Sequence, residues 1–174
     1  MSIASFNKAF SEAIGLEGKY SIAEDDPGNW TGGKVGAGKL LGTAWGISAA
    51  AYPNEDIAAL AGNPQRAKAI YLRDYWDKMH CDVLPDVVAI ALFKEGINLG
   101  VNGAVKAMQT ALKQNTDGVM GQVTEGVINA AAPKEVIELF LTQCAYAYTQ
   151  MDNFRVDGKG WLSRVIQTAV EASF

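Results

Sequence analysis

Apolar side chains recur every three or four residues along most of this chain, and that spacing predicts α-helices over nearly its whole length. The first such stretch, residues 3–14, carries Ile3, Phe6 and Phe10 on one face. Strand signals are confined to residues 19–47, which are polar and rich in glycine. We therefore expect a mainly α fold with, at most, a small β-hairpin or a glycine-rich flap.

Capping residues divide the middle of the chain into further helices. A short helix is predicted for residues 56–61. Asn63-Pro64 is a favourable helix start, and we expect the helix that follows to run to about Met79. The next helix, predicted for residues 87–99, is apolar on almost every side. That composition is typical of a helix in the centre of a fold.

Two turn signals organise the second half of the chain. Asp117-Gly118 predicts a turn, and a short helix is expected at residues 123–131. The longest helix is predicted to begin at Pro133 and to end at Asp157-Gly158. A last helix follows, with an apolar face made of Leu162, Val165, Ile166, Ala169 and Val170.

Composition limits the classes of partner. The chain has 174 residues, 49% of them hydrophobic, which is enough for one domain with a buried core. Its net charge of −4 lacks the basic surface that binds nucleic acid. Residues 1–14 include Lys8 and Glu12 where a signal peptide would be apolar, and no apolar run approaches the roughly 20 residues of a membrane span. We expect a protein made in the cytoplasm, without stable membrane insertion.

The cysteines and the single histidine restrict the chemistry. Cys81 and Cys144 are far apart in sequence, and without a secretion signal both are expected to be reduced. One histidine, His80, and two distant thiols supply too few ligands for a zinc site. A cysteine peptidase would require His80 to reach Cys144. We therefore expect no metal and no cofactor.

Residues 17–47 contain acidic side chains followed by seven of the chain's 18 glycines, which is unusual inside a compact domain and indicates a function. Glu17 follows the first helix, where the negative helix end and apolar neighbours favour a protonated carboxyl group. Such a group can act as a general acid. Asp26 follows after eight residues, and Thr31 and Thr43 come later. On spacing alone, a solvated Glu17 and a turn-forming Asp26 are equally open readings.

A series of short motifs occurs along the chain in a distinctive order. They are L-E-G-K-Y (16–20), D-D-P-G (25–28), G-T-A-W-G-I-S (42–48), Y-L-R-D-Y-W (71–76), C-D-V-L-P (81–85), I-N-L-G (97–100), D-G-V-M-G (117–121) and G-W-L-S-R (160–164). The set resembles the phage endolysins and secretion-associated muramidases of glycoside hydrolase family 108, which carry E-G-G-Y, D-P-G-G and T-x-x-G-I motifs. The resemblance implies a single lysozyme-like domain over 1–174, with a catalytic half (1–92) and a half similar to the family's peptidoglycan-binding module (93–174).

The same resemblance implies an activity. Glu17 matches the family's catalytic glutamate, and the family hydrolyses the β-1,4 bond between N-acetylmuramic acid and N-acetylglucosamine in peptidoglycan. In such sites Asp26 and a threonine would hold a water opposite Glu17. Thr43 is preferred to Thr31 because it keeps the T-x-x-G-I context. A lytic transglycosylase and a non-catalytic peptidoglycan-binding protein are the alternative functions.

Four further residues are candidates for binding the sugar. Tyr20, Trp30 and Trp45 have apolar ring faces that could stack on pyranose rings. Asn98 stands in the family's A-V-N-x-G position and could hydrogen-bond an N-acetyl group, although a bond between helices would explain it equally well.

The chain departs from the family pattern in three places. Lys19 replaces the second glycine of E-G-G, Lys94 replaces a usual acidic residue, and residues 32–42 are an insert. Residues 33–39 also fit the first part of a phosphate-binding loop, but Leu40 stands where that loop needs Ser or Thr. Because the insert contains five glycines, we interpret it as a mobile flap over the sugar groove.

The resemblance to endolysins also implies a setting. It predicts a monomer that waits in the host cytoplasm and cleaves peptidoglycan from the periplasm, with a holin-like protein permeabilising the membrane. The negative net charge gives no attraction to an anionic wall, so binding is expected to depend on a shaped groove.

Overall fold

A computed structural model describes residues 3–15 and 19–172, and within them the chain forms seven α-helices and one three-stranded antiparallel sheet. The helices are α1 (Ile3–Ile14), α2 (Ile57–Ala61), α3 (Pro64–Tyr71), α4 (Asp86–Ala111), α5 (Gln122–Ala130), α6 (Pro133–Thr149) and α7 (Phe154–Glu171). The strands are β1 (Tyr20–Ser21), β2 (Thr43–Ala44) and β3 (Ile47–Ser48). The mainly α fold is thus confirmed, and the strands lie in the predicted polar segment, with β3 ending one residue beyond it.

The chain separates into two compact units. Unit 2 is continuous and comprises Phe10–Tyr71, whereas unit 1 combines the chain up to Ala9 with the chain from Leu72 onward. The predicted halves, 1–92 and 93–174, derive from the family resemblance and stay a prediction.

The sheet of unit 2 has a simple register. Tyr20 pairs with Ala44 and Ser21 with Thr43 between β1 and β2, while Thr43 pairs with Ser48 and Ala44 with Ile47 between β2 and β3. Residues directly opposite each other point to the same face of a sheet. One face therefore carries a row of three hydroxyl groups, Ser21, Thr43 and Ser48, and the other carries the buried side chains of Ala44 and Ile47.

Two aromatic clusters occupy the cores of the units. In unit 2, the ring of Phe10 meets that of Tyr71 edge-on with centroids 5.5 Å apart. In unit 1, Phe6, Trp76 and Phe93 make mutual edge-on contacts with centroids 5.5–5.7 Å apart. Helix α6 contributes one apolar face to the core of unit 1, since the side chains of Ile137, Phe140, Leu141, Cys144 and Tyr148 are all buried.

Helix α4 consists of two helical segments that meet at one non-helical residue, Gly100 (φ 71°, ψ 160°). The first segment ends where the helix predicted for residues 87–99 was expected to end, and the second continues to Ala111. Helix α4 is the one helix in the described part of the chain whose length and composition would suffice to cross a membrane. Its apolar residues Leu92 and Phe93 are fully buried within unit 1, so its composition is explained by its place in the core.

The predicted break at Asp157-Gly158 is wrong. Helix α6 ends at Thr149, and α7 begins at Phe154 and runs through both residues. Gly158 faces the ring of Phe154, since a Cβ on this glycine would lie 2.5 Å from Phe154 Cδ2. A close side-chain approach, and not a turn, therefore accounts for the glycine.

The last predicted apolar face is only partly buried. Val165 is buried, but Ile166 and Val170 are 64% and 53% exposed. Ile166 lines a groove between α6 and α7 of about 450 Å³. Both cysteines are free and buried, and burial raises the pKa of each thiol, which disfavours the reactive thiolate.

Candidate functional site

The predicted acid, Glu17, lies outside the described residues, but the segments on either side of it are well defined. Helix α1 ends at Ile14, and the backbone N–H of Gly15 donates to Ser11 O at 3.1 Å. Gly15 has a positive φ of 81°, a conformation that glycine adopts without steric cost. The first helix therefore ends at residue 14, as its apolar spacing predicted.

A cavity of about 340 Å³ lies in unit 2, lined by Ala13, Ile14, Lys19, Trp45 and Gly46. Two of these residues precede Glu17 in sequence and one follows it closely. The cavity is therefore formed partly by the chain that leads into and out of the predicted acid.

Trp45, a predicted sugar contact, contributes to the wall of this cavity from a largely buried position. Its side chain is 7% exposed, and its indole N–H donates to Leu60 O at 2.8 Å. Trp45 and Gly46 both have positive φ, 55° and 75°, in the two-residue connection between β2 and β3. Positive φ is unfavourable for a bulky residue, and the Tyr71 hydroxyl, which donates to Trp45 O at 2.9 Å, helps to hold it.

Asp26 begins the 3₁₀ turn Pro27–Asn29. Its Oδ1 accepts a hydrogen bond from Gly28 N at 2.8 Å, so the carboxylate caps the turn. The turn-forming role that the sequence left open is thus real. The residue is nevertheless exposed, and its carboxylate remains accessible to solvent.

Asn29 joins this turn to Thr43. Its side chain is fully buried; Nδ2 donates to Ala23 O at 3.0 Å, and Oδ1 accepts from Thr43 Oγ1 at 2.8 Å. Its backbone carbonyl accepts from the N–H groups of Leu41 and Gly42, each at 3.0 Å. Asn29 therefore fixes Thr43 relative to the Asp26 turn.

Sequence reasoning missed Asn29. The available signal was small: the chain reads D-P-G-N where the resembling family reads D-P-G-G. The role depends on a contact with a residue 14 positions away, and spacing alone does not indicate such a contact.

Ser48 completes the polar cluster. A Cβ on Gly28 would lie 3.1 Å from Asp26 Oδ1 and 3.8 Å from Ser48 Cβ, so these two side chains flank the same glycine. Thr43 lies opposite Ser48 in the sheet. The structure thus brings Asp26 and Thr43 into one polar cluster of unit 2, together with Asn29 and Ser48.

Thr31, the alternative to Thr43, has another role. Its Oγ1 accepts from Lys39 N at 2.9 Å, and its own N–H donates to Lys39 O at the same distance. The Thr31 side chain therefore closes the loop of the insert.

The remaining aromatic candidates contact this loop. The Trp30 indole N–H donates to Glu24 O at 2.9 Å, and the half-buried Trp30 pairs with Leu40 through a β-bridge. The Tyr20 hydroxyl donates to Leu41 O at 3.2 Å, while 41% of the residue is exposed. The insert thus has a defined, hydrogen-bonded conformation with Leu40 and Leu41 half-buried, and its mobility stays a prediction.

Asn98, the fourth predicted sugar contact, belongs to unit 1. Its Oδ1 accepts from Arg164 Nη1, which joins α4 to α7. The bond between helices that the sequence left open is therefore present. Lys94, one helical turn earlier, is buried and pairs with Glu171 of α7.

A buried carboxyl group, Glu95, lies beside these pairs. Its Oε2 accepts from the Tyr148 hydroxyl at 2.8 Å. Desolvation raises the pKa of Glu95, although the Tyr148 bond and the positive charges of Arg164 and Lys94 oppose the increase. Within residues 3–15 and 19–172, no three His, Cys, Asp or Glu side chains are grouped so as to hold a metal ion.

Comparisons with known proteins agree with this architecture. The family model for glycosyl hydrolase 108 matches residues 10–100, more than half of the chain. The solved structure of Brucella abortus SagA is similar, with 28% sequence identity, a TM-score of 0.78, and coverage of 98% of this chain and 95% of that chain. No curated protein sequence gave a significant match. The similarity over almost the full length confirms a lysozyme-like, mainly α fold.

Proposed function

Because the chain belongs to the glycosyl hydrolase 108 family, we propose that it is an N-acetylmuramidase. The family makes it a glycoside hydrolase that acts on peptidoglycan. The proposed bond is the β-1,4 linkage between N-acetylmuramic acid and N-acetylglucosamine. The observation that carries this proposal is the cluster of Asp26, Asn29 and Thr43, which lies inside the matched region.

The proposed reaction assigns one step to each residue. Glu17 gives its proton to the glycosidic oxygen as the bond from that oxygen to the anomeric carbon breaks. A water held by Asp26 and Thr43 adds its oxygen to the anomeric carbon and passes a proton to Asp26. Exchange with solvent then restores both carboxyl groups.

The four predicted sugar contacts are proposed to have different roles. Tyr20 and Trp30 are proposed to contact sugar rings, because both are partly accessible. Trp45 is proposed to contribute to substrate binding by forming part of the cavity wall, since its ring is largely buried. Asn98 is proposed to direct its second side-chain N–H toward an N-acetyl oxygen, because its Oδ1 accepts from Arg164 and its Nδ2 already donates to Lys94 O at 3.4 Å.

A lytic transglycosylase is the second candidate, since it also needs a single general acid. It forms its product by attack of the substrate's own hydroxyl and holds no water for that purpose. The hydrolase is supported by the polar cluster that contains both an exposed carboxylate, Asp26, and the Thr43 hydroxyl, which are joined through Gly28 and Asn29.

Mass spectrometry of digested peptidoglycan tests the proposed bond. We expect fragments that end in reducing N-acetylmuramic acid. Fragments ending in 1,6-anhydro-N-acetylmuramic acid would instead identify a transglycosylase. If the protein releases no sugar fragments from purified peptidoglycan, the proposed function is wrong.

We also propose an endolysin role, in which a monomer reaches the periplasm from the host cytoplasm through a membrane opened by a holin-like partner. This follows from the resemblance to phage endolysins. The test is expression in a Gram-negative host with and without a membrane-permeabilising agent. Lysis is expected only with the agent, and lysis without it would contradict this role.

A further inference from the structure

The hydrogen bonds of Asn29 define the direction of the bond to Thr43. Ala23 O is a carbonyl oxygen and can only accept, so the group that faces it at 3.0 Å must be the Asn29 NH₂. The Asn29 Oδ1 therefore faces Thr43, 2.8 Å away. Because an amide oxygen can only accept, the Thr43 hydroxyl must donate. The two partners of the amide therefore fix its orientation.

The orientation of the amide is held by its surroundings. The Asn29 side chain is fully buried, and the backbone that carries it is fixed, because its backbone carbonyl accepts from the N–H groups of Leu41 and Gly42. Its own N–H donates to Asp26 O at 3.1 Å. Reversing the side-chain amide would turn Oδ1 toward Ala23 O, so that two acceptors face each other and the bond from Nδ2 is lost, which is costly for a buried side chain.

The Thr43 hydroxyl consequently has no proton left for a ligand. A hydroxyl group has one O–H and two lone pairs, and the single proton is directed to Asn29. Toward solvent, the half-buried Thr43 can only accept a hydrogen bond.

We propose that Asn29 is a positioning residue that makes Thr43 an obligate acceptor for the attacking water; this rests on the proposed muramidase function. The water then directs one hydrogen to Thr43 Oγ1 and the other to the Asp26 carboxylate. Both hydrogens point into the protein, so a lone pair of the water oxygen is left to face the anomeric carbon. If Thr43 donated instead, it would occupy one of the two lone pairs of the water oxygen and weaken the nucleophile.

A double-mutant cycle tests this role. Thr43→Val removes the hydroxyl at constant shape, and Asn29→Leu removes both polar groups of the amide. Each is expected to lower kcat by up to about 10²-fold, the scale of a misplaced reactant. Because Asn29 acts through Thr43, adding Asn29→Leu to Thr43→Val should lower kcat by less than about 3-fold more.

The products provide a readout that a purely structural role would not change. Losing the oriented water should raise the fraction of anhydro ends in Asn29→Leu relative to the wild-type protein. Asn29→Asp keeps an acceptor for the Thr43 hydroxyl and should keep the wild-type product ratio. Thr31→Val is a matched control, because it removes a threonine hydroxyl that closes the insert loop, and its product ratio should also stay unchanged.

The outcomes distinguish a failure of the proposed function from a failure of the role of Asn29. If the wild-type protein releases no fragments, the proposed function fails, and this role fails with it. If the wild-type protein cleaves but Asn29→Leu lowers kcat equally in both backgrounds with an unchanged product ratio, only the role of Asn29 is overturned. Should Asn29→Leu not fold, Asn29→Asp decides, since a raised anhydro fraction in that variant would contradict the role.

Discussion

Asp26 has a structural role and a proposed chemical role, and a single substitution separates them. Asparagine caps a turn about as well as aspartate, so Asp26→Asn should keep the bond from Gly28 N to the side-chain oxygen. The substitution removes the negative charge that would accept the proton from water.

At the residue scale we therefore predict that Asp26→Asn leaves thermal unfolding almost unchanged but lowers kcat. The loss should be smaller than the loss caused by removing the acid, because Asp26 positions water and does not protonate the leaving group. Asp56→Asn is the matched control, since Asp56 caps α2 in the same manner by accepting from Ala59 N at 3.1 Å. Equal kcat values for the two variants would contradict the chemical role of Asp26.

Asp26 and Thr43 could be chosen as candidates from the sequence, because both belong to local motifs, and their catalytic roles stay a prediction. The sequence did not allow Asn29 to be predicted, because the importance of that residue arises from the fold. The direction of its hydrogen bond with Thr43 is set by Ala23 O, which lies six residues earlier in the sequence and accepts from the Asn29 amide. A hydrogen-bond direction of this kind becomes visible only when all three groups are placed.

At the scale of the element, tertiary packing in α7 overrides a local turn signal. Asp-Gly is a strong turn signal, yet α7 continues through Asp157-Gly158. The ring of Phe154 occupies the space beside Gly158, and periodicity does not reveal which helical glycine is covered in this way. The starts of α3 at Pro64 and of α6 at Pro133 were predicted correctly, since a proline in the first turn acts locally.

Two glycines of α7 provide a matched pair. Gly158→Ala would place a Cβ 2.5 Å from Phe154 Cδ2, and we predict a loss of about 1–3 kcal/mol in unfolding free energy from overpacking. Gly160→Ala meets no atom within 4 Å, and it should gain about 0.5–1 kcal/mol from the better helix propensity of alanine. Denaturant unfolding of both variants tests this, and a gain for Gly158→Ala would contradict the packing explanation.

The α4 helix carries a pH-dependent element. Burial raises the pKa of Glu95 in the folded protein above its ordinary value of 4.5. At a pH between the ordinary pKa and this raised pKa, the folded protein binds a proton that the unfolded chain releases. Stability contributed by this group is therefore present below the ordinary value and is lost as the pH rises through the folded pKa.

We predict that Glu95→Gln removes this pH-dependent loss of stability. The unfolding free energy of the variant should decline less steeply than that of the wild-type protein as the pH rises from 4.5. Glutamine keeps an oxygen for the Tyr148 hydroxyl, so the fold should be retained. Glu138→Gln is the control, because Glu138 is an exposed glutamate on α6, and this variant should follow the wild-type curve. Parallel curves for Glu95→Gln and the wild-type protein would contradict the prediction.

At the scale of the whole molecule, the helical spacing and the order of the motifs were enough to predict a lysozyme-like fold. The division into units at Ala9 and Tyr71 was not predictable. Apolar spacing reports which face of a helix is buried, but it does not report which other element covers that face. Residues 3–14, for example, read as one uniform amphipathic helix, although α1 contributes residues to both units.

The central claim is that Glu17 is the general acid of a peptidoglycan glycosidase. Its most direct test is the rate of fragment release from purified peptidoglycan by Glu17→Gln, measured beside the wild-type protein. Glutamine keeps the size of the side chain but cannot protonate the leaving oxygen. We predict a rate lower by roughly 10²–10⁴-fold with unchanged thermal unfolding. Near-native release by Glu17→Gln, together with a complete loss in Asp26→Asn, would contradict the claim and reverse the assignment of the acid.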